Sequence, residues 1–126
     1  MNPNTTPAQD RKVLIIEDEG DMCLLLNIIL AGKKLQLDHV KSLADAQSYL
    51  EDTHPQVVLL DNKLPYGFGV DFIPQIKKQN PSAKIIMITG FDASAGDVAL
   101  ENGADMFLTK PFTKEQLQDS VSKCMS

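Results

Sequence analysis

Short apolar runs alternate with longer amphipathic segments along most of the chain. Four of five strand-length runs are apolar without alternation, which is typical of strands buried on both faces of a sheet. The runs are VLII (13–16), LQLDHV (35–40, the weaker one), VVLL (57–60), IIMI (85–88) and MFL (106–108). A segment with the length and the apolar pattern of a helix follows each run. These segments are 21–34, 42–52, 70–80, 92–103 and 113–125.

This (βα)5 order predicts an α/β fold with a parallel sheet, right-handed crossovers and helices on both faces. Residues 1–10 are polar without aliphatic periodicity, so we expect a disordered leader followed by one domain over 11–126. Pro74 lies in the third helical segment and is tolerated only if that helix begins near Asp71, where backbone N–H groups lack partners anyway.

Composition narrows the class of protein. A chain of 126 residues with 43% hydrophobic content has enough apolar material for one domain. Its net charge of -5 argues against direct nucleic-acid binding, because phosphate backbones attract basic surfaces. The two cysteines form no CxxC motif, and no apolar run approaches a membrane span, so we expect a cytoplasmic protein without membrane contact.

Polar side chains follow four of the predicted strands where each strand ends. Glu17, Asp18 and Glu19 follow the first, Asp61 the third, Thr89 the fourth and Lys110 the fifth. Ligands of open parallel sheets bind beyond the carboxyl ends of the strands. Each residue alone also fits a cap, a turn or a solvated charge; their coincidence at one sheet edge is the stronger signal.

Three carboxylates at one edge repel one another unless a cation joins them. Oxygen ligands without histidine or thiol favour Mg²⁺, with Mn²⁺ as the other possibility. A carboxylate beside Mg²⁺, a lysine and a hydroxyl suits in-line phosphoryl transfer, with Asp61 as nucleophile and an aspartyl phosphate as product.

Four motifs resemble the receiver domain of two-component response regulators, a family that includes the bacterial chemotaxis regulator. They are IIEDE, LLDNKLPYGFG, IMITG and GADMFLTKPF, and the resemblance covers about residues 11–124. It implies one doubly wound, flavodoxin-like domain with five parallel strands in the order 2-1-3-4-5. It also implies a phosphorylation-activated signalling switch that catalyses its own phosphorylation and dephosphorylation but is not a turnover enzyme.

The resemblance also assigns the metal site and the phosphoacceptor. Asp61 matches the phosphoacceptor and Asp18 the direct Mg²⁺ ligand. Glu17 matches the acidic position that acts largely through metal-bound water, and the backbone carbonyl of Lys63 matches the third protein ligand.

A second set of positions matches the switching residues. Thr89 and Lys110 match the hydroxyl and the ammonium that bind phosphoryl oxygens, and Lys110-Pro111 matches the family's cis peptide. Phe107 matches the switch aromatic, although an aromatic strand residue also fits simple core packing. In the family the output surface comprises the fourth helix, the fifth strand and the fifth helix. Phe91, bulky and apolar near the phosphoryl site, predicts slow loss of the phosphoryl group and faster loss in Phe91→Ala, and simple packing of Phe91 is the alternative interpretation.

The first helix carries more apolar residues than one face can bury. Its core face is expected at Met22, Leu25, Leu26 and Ile29, while Leu24 and Ile28 form a second stripe. In the family this helix docks a histidine kinase or histidine phosphotransfer domain, so Leu24 and Ile28 are predicted to bind that partner. Isolated surface leucines are the alternative interpretation.

Other expectations concern partners and competing functions. A downstream effector protein and a phosphorylation-dependent homodimer are expected as further partners. The chain is either a stand-alone receiver or a fragment of a larger DNA-binding regulator or hybrid kinase, and starting with Met mildly favours a complete protein. An aspartate-nucleophile phosphatase is disfavoured because Lys63 stands where its acid/base Asp would be. A flavin- or nucleotide-binding module lacks its glycine motif.

Overall fold

Five parallel strands form one sheet in the computed structural model, which describes residues 11–32, 34–64, 67–90 and 93–125. The sheet order is β2-β1-β3-β6-β7, and β4 and β5 pair separately as a two-stranded ribbon. Counted over the parallel strands alone, this confirms the predicted order 2-1-3-4-5. The strands are β1 Lys12–Ile16, β2 Gln36–Val40, β3 Val57–Asp61, β4 Lys63–Leu64, β5 Gly67–Phe68, β6 Lys84–Thr89 and β7 Met106–Thr109.

Helices cover both faces of this sheet and divide the core into two layers. Within the described residues they are α1 Gly20–Leu30, α2 Leu43–Asp52, α3 Gly69–Gln79, α4 Ala93–Glu101 and α5 Lys114–Met125. One layer joins α2, α3 and α4 to residues such as Leu60 and Met87. The other joins α1 and α5 to residues such as Leu59 and Ile88. Successive strand residues point to opposite faces, so buried strands need apolar residues at every position.

The sheet has its topological switch point between β1 and β3, where the strand order reverses. Ile16 at the end of β1 pairs in register with Leu60 of β3, and Asp61 pairs with Ile88 of β6. The carboxyl ends of the central strands therefore meet at one edge, where ligands of such sheets bind.

Two helix boundaries differ from the predicted ones. The first helix ends at Leu30 rather than at 34, because the chain turns through Gly32 with a φ of 79°. The third helix begins at Gly69, so the expected start near Asp71 is wrong and Pro74 lies beyond the first turn. Pro74 is on the exposed side of α3, where water can replace the missing backbone donor.

None of the helices in the described ranges combines the length and the apolar character that crossing a bilayer requires.

Asp105 fastens the loop before β7 to β6 and α3. Its Oδ2 accepts hydrogen bonds from the Ile85 N–H and the Lys77 ammonium, both at 2.9 Å, and Lys84 lies 3.9 Å from Oδ1. Burial acts to raise the pKa of Asp105, but these donors outweigh it and the net pKa is lowered. We therefore expect Asp105→Asn to lower the free energy of unfolding by about 1–3 kcal/mol near neutral pH.

The stability that Asp105→Asn loses should depend on pH, and the lowered pKa of Asp105 sets the direction of that dependence. A depressed folded-state pKa contributes stability above 3.8, the ordinary aspartate value, and that contribution disappears as the pH falls through the lower folded value. Urea unfolding at several pH values should show wild type and Asp105→Asn converging in acid. Asp119→Asn, which removes an exposed α5 ion pair with Lys123, is the control and should cost less than about 1 kcal/mol. A pH-independent difference for Asp105→Asn would contradict the assignment.

Candidate functional site

Three carboxylates converge at the carboxyl ends of β1 and β3. One oxygen each from Glu17, Asp18 and Asp61 lies within 4.8 Å of the others. Glu17 and Asp61 are buried, whereas Asp18 is exposed to solvent. The buried strands that end here carry both buried acids to the switch point, as the strand pattern predicts.

Glu17 is a strongly perturbed acid in this cluster. Burial is the main cause that raises its pKa to about 7, and the charges of Asp61 and Asp18 add to the increase. The backbone N–H of Glu19 donates to Oε1 at 3.0 Å and partly opposes it. The other oxygen, Oε2, is buried without a hydrogen-bond partner among the described residues. A half-satisfied buried carboxylate is costly unless a cation or a proton joins it.

These features fit a hard divalent cation. The donor atoms are carboxylate oxygens, the charges repel one another without a cation, and Oε2 of Glu17 is available. Glu17, Asp18 and Asp61 are the side chains that would hold Mg²⁺. Lys63 lies in β4, two residues after Asp61, and its carbonyl remains a predicted ligand.

Lys110 supplies the positive charge of the site. Its Nζ lies 3.4 Å from Oδ1 of Asp61, and the lysine side chain is partly exposed while Asp61 is nearly covered. The Lys110-Pro111 peptide bond is cis, as the resemblance implies. Lys110 follows β7, so the ends of β3 and β7 contribute opposite charges to one place.

Thr89 ends β6 and is fully buried beside this site. Its hydroxyl donates to the Leu108 carbonyl oxygen at 3.4 Å, a long hydrogen bond. Asn62, directly after Asp61, donates its backbone N–H to the carbonyl of Ile88, the residue before Thr89. The threonine is therefore held next to the acidic cluster, with a weak partner that it can exchange.

The site extends over both faces of the sheet edge. Asp61 follows Leu59 on the face covered by α1 and α5, whereas Thr89 follows Met87 on the face covered by α3 and α4. Phe107 is half-buried and packs on this second face. Thr89 and Phe107 therefore share the face opposite to the predicted phosphoacceptor.

An apolar patch on α1 lies beside the same edge. Leu24 and Ile28 are 60% and 64% exposed, and Leu25 is 43% exposed. The expected core position of Leu25 is therefore wrong: Cys23 and Leu30 are buried in addition to Leu26 and Ile29. α1 presents the Cys23 side to the sheet, a rotation of the helix that its apolar pattern alone does not fix.

A cavity of about 310 Å³ borders both Leu25 of α1 and Lys110 of the site. It is lined by Met22, Leu25, Lys110, Pro111 and Phe112. Lys110, which forms the ion pair with Asp61, therefore borders a largely apolar cavity. Leu24 and Ile28 themselves lie on the outer side of α1 and not in the acidic cluster.

Some residues that support the site were not predicted. Asn62 accepts the Val70 N–H at its Oδ1, and its carbonyl accepts the Gly69 N–H at 2.7 Å, so it joins the end of β3 to α3. The Cys23 thiol donates to the Glu17 carbonyl at 3.4 Å. Gly69 at the start of α3 is the feature of the sequence that could have indicated this close junction. Phe91, for which slow loss of the phosphoryl group was expected, lies outside the described residues.

Fold and site together define a doubly wound α/β domain with an acidic, lysine-flanked site at its switch point. The sequence-family model of the response regulator receiver domain matches residues 13–122 of this chain. The chain therefore belongs to the receiver domains of two-component response regulators.

Individual relatives agree with this assignment. The response regulator protein PilR of Pseudomonas aeruginosa is 32% identical over 116 residues, which are 91% of this chain and 26% of PilR. The chemotaxis protein CheY of Halobacterium salinarum is 28% identical over 92% of this chain and 98% of its own length. The crystal structure of the receiver domain of a LuxO repressor protein from Vibrio parahaemolyticus superposes with a TM-score of 0.85 at 27% identity, covering 91% of this chain and 89% of that one. This chain thus spans about a quarter of PilR, and its length is close to that of the chemotaxis protein.

Proposed function

We propose that the chain is a phosphorylation-activated switch in which Asp61 accepts a phosphoryl group from a histidine kinase or a histidine phosphotransfer protein. The observation that carries the proposal is the convergence of Glu17, Asp18 and Asp61 within 4.8 Å, with the Lys110 ammonium 3.4 Å from Asp61. Membership of the receiver family supports the same function.

In the chemical step, a carboxylate oxygen of Asp61 attacks phosphorus. An O–P bond forms as the bond between phosphorus and the donor atom breaks, and the electron pair of that bond leaves with the donor. Glu17, Asp18, Asp61 and the Lys63 carbonyl would hold Mg²⁺, with Mn²⁺ as a substitute, and the bound ion would supply positive charge to the phosphoryl oxygens. The protein itself contributes mainly position and charge.

Lys110 and Thr89 bind the phosphoryl oxygens in this proposal. Lys110 already lies beside Asp61, so it can transfer its ion pair from the free carboxylate to the phosphoryl group. Thr89 gives up its long hydrogen bond to the Leu108 carbonyl for a stronger, charge-assisted one. Only contacts that differ between the two states shift a conformational equilibrium, and the Thr89 contact is of that kind.

The output surface is proposed at α4, β7 and α5. Val98 and Leu100 of α4 are exposed and available to a downstream effector. The movement of Thr89 reaches this surface through Phe107, because both lie on the face that α4 covers. The match covers only 26% of the response regulator PilR. An effector domain in the same polypeptide is therefore the alternative to a separate effector protein. The phosphorylation-dependent homodimer stays a prediction.

The switch is tested by amide NMR of labelled protein before and after addition of Mg²⁺ and acetyl phosphate. We expect resonances of α4, β7 and α5 to shift, and in Thr89→Ala we expect the adduct to form while these shifts largely disappear. Shifts confined to Glu17, Asp18 and Asp61 would contradict a switch, although they would agree with phosphorylation.

Docking of the phosphoryl donor is predicted at the apolar patch of α1. Buried apolar anchors dominate the free energy of many interfaces, so Leu24→Ser with Ile28→Ser should slow phosphotransfer from a phosphorylated histidine kinase about tenfold to hundredfold. Labelling by acetyl phosphate should be unchanged, since this small donor needs no docking. Time courses with a panel of phosphorylated kinases measure the first rate.

Leu100→Ser is the control, because it removes an exposed leucine from α4, outside the α1 patch. It should leave phosphotransfer from the kinase unchanged. Equal losses with the kinase and with acetyl phosphate would show damage to the site instead of docking, and unchanged transfer from the kinase would reject the α1 patch as the docking surface.

A further inference from the structure

The inner side of α4 is formed by small residues where the helix lies on β6 and β7. Among the described side chains of α4, Gly96 and Ala99 are buried, whereas Val98 and Leu100 are 45% and 42% exposed. Such residues bury little apolar area of their own. The position of α4 therefore depends on what fills the space beneath it.

The ring of Phe107 fills this space. Phe107 pairs in register with Met87 of β6 and packs against the core layer that includes Ala99. A Cβ added at Gly96 would lie 2.6 Å from Cγ of Phe107 and would overlap Cδ2 and Cε2 of the ring. Cβ atoms are essentially never found so close to a neighbour, so no other residue at position 96 is compatible with both the ring and the helix where they are.

The same ring lies on the face of the sheet that also carries the Thr89 side chain. Thr89 pairs with Thr109, which lies two residues after Phe107. Because the side chains of a strand alternate between its two faces, Thr89 and Phe107 lie on the same face, the one that α4 covers. If the ring leaves its place, it leaves a space against Gly96 that α4 must close, because protein interiors tolerate few voids. Rotation of the ring and displacement of α4 are then one movement.

We propose that Gly96 is a positioning residue, whose missing side chain forms the seat of the Phe107 ring and couples the orientation of that ring to the position of α4. The proposal rests on the proposed function in one respect only: the movement has a signalling consequence if phosphorylation of Asp61 drives it. The seat itself exists without phosphorylation.

The seat is tested by a double-mutant cycle in thermal unfolding. Gly→Ala in a helix normally stabilises a protein, but Gly96→Ala should lower the unfolding midpoint by roughly 5 °C because its Cβ overlaps the ring. In a Phe107→Ala background the same substitution should leave the midpoint unchanged or raise it. Gly20→Ala, which also adds a methyl group to a helix but meets nothing within 4 Å, is the control and should not lower the midpoint.

Each result of the cycle decides the matter. A raised midpoint for Gly96→Ala with Phe107 present would overturn the proposal, and so would an equal loss in both backgrounds. If Gly96→Ala alone fails to fold, a folded Gly96→Ala, Phe107→Ala protein supports the seat, and an unfolded one overturns it.

The coupling has a separate readout that simple destabilisation does not produce. In Gly96→Ala we expect Asp61 to be phosphorylated by acetyl phosphate, because the atoms nearest to the added methyl group belong to the ring of Phe107 and not to the acidic cluster. The NMR shifts of Val98 and Leu100 on phosphorylation should be smaller than in wild type by at least about twofold. The added methyl group occupies the place of the Phe107 ring, so the conformation that needs the ring there is no longer populated. Full shifts would overturn the coupling. Absence of any adduct in wild type would reject the proposed function, and the unfolding cycle would still decide on the seat.

Discussion

Replacing Lys110 with alanine is expected to slow formation of the phosphoryl adduct on Asp61 by about a hundredfold to a thousandfold, the usual effect of removing one group that stabilises transition-state charge. The Lys110 ammonium lies 3.4 Å from Oδ1 of Asp61. Negative charge accumulates on the phosphoryl oxygens during transfer, and Lys110→Ala removes the ammonium that stabilises it in this proposal. Time-resolved intact-mass measurement with Mg²⁺ and acetyl phosphate gives the rate.

Lys114→Ala is the control for this experiment. Lys114 begins α5, carries the same charge and is exposed to solvent, so its removal should leave the labelling rate unchanged. Circular dichroism should show that both variants are folded. A Lys110→Ala protein that is labelled at the wild-type rate would mean that the lysine has no role in the transfer.

Replacing Gly69 with alanine is expected to lower the free energy of unfolding by about 2–3 kcal/mol, the cost of overpacking a closely packed site. The added Cβ would overlap the backbone carbonyl oxygen of Asp61 and lie 2.9 Å from Cγ of Leu60. It would also strain the 2.7 Å hydrogen bond from the Gly69 N–H to the Asn62 carbonyl. The strain falls on the residue that carries the phosphoryl group, so labelling by acetyl phosphate should slow as well. Urea unfolding measures the first effect.

Gly90→Ala gives the matched comparison at the same edge of the sheet. A Cβ at Gly90, directly after Thr89, meets nothing within 4 Å, so this change should alter stability by no more than about 0.5 kcal/mol. Similar stabilities of Gly69→Ala and Gly90→Ala would contradict the close contact between α3 and the end of β3.

The strands of the parallel sheet could be predicted because each central strand is buried on both faces. VLII, VVLL and IIMI have no polar residue to interrupt them, and continuous apolar runs of this length are typical of strands in the middle of a parallel sheet. LQLDHV gave a weaker signal because β2 is an edge strand with partly exposed side chains. The β4–β5 ribbon was not predicted, since strands of two residues are too short for a period to appear.

The polar residues of the site could be predicted from topology alone. Parallel strands end at one edge, so Glu17, Asp18, Asp61 and Lys110 had to lie near one another once the (βα)5 order was recognised. Their roles as ligands, acceptor and charge partner come from chemistry and from the resemblance, and they remain proposals.

Contacts that depend on how closely two elements approach could not be predicted. Gly69 precedes the third predicted helical segment and Gly96 lies within the fourth, and the sequence does not show that a Cβ would meet the backbone of Asp61 at one and the ring of Phe107 at the other. Leu25 was assigned to the core because α1 has apolar residues on more than one face, and the rotation of a helix against its sheet is not encoded in such a pattern.

The central claim is that Asp61 accepts a phosphoryl group at a metal-dependent site, and intact-mass measurement tests it most directly. Wild-type and Asp61→Asn proteins are incubated with acetyl phosphate, each with Mg²⁺ and with excess chelator. We predict one added phosphoryl group in the wild type with Mg²⁺ and none in the other three samples. An adduct on Asp61→Asn, or no adduct on folded wild-type protein with either acetyl phosphate or a panel of phosphorylated kinases, would contradict it.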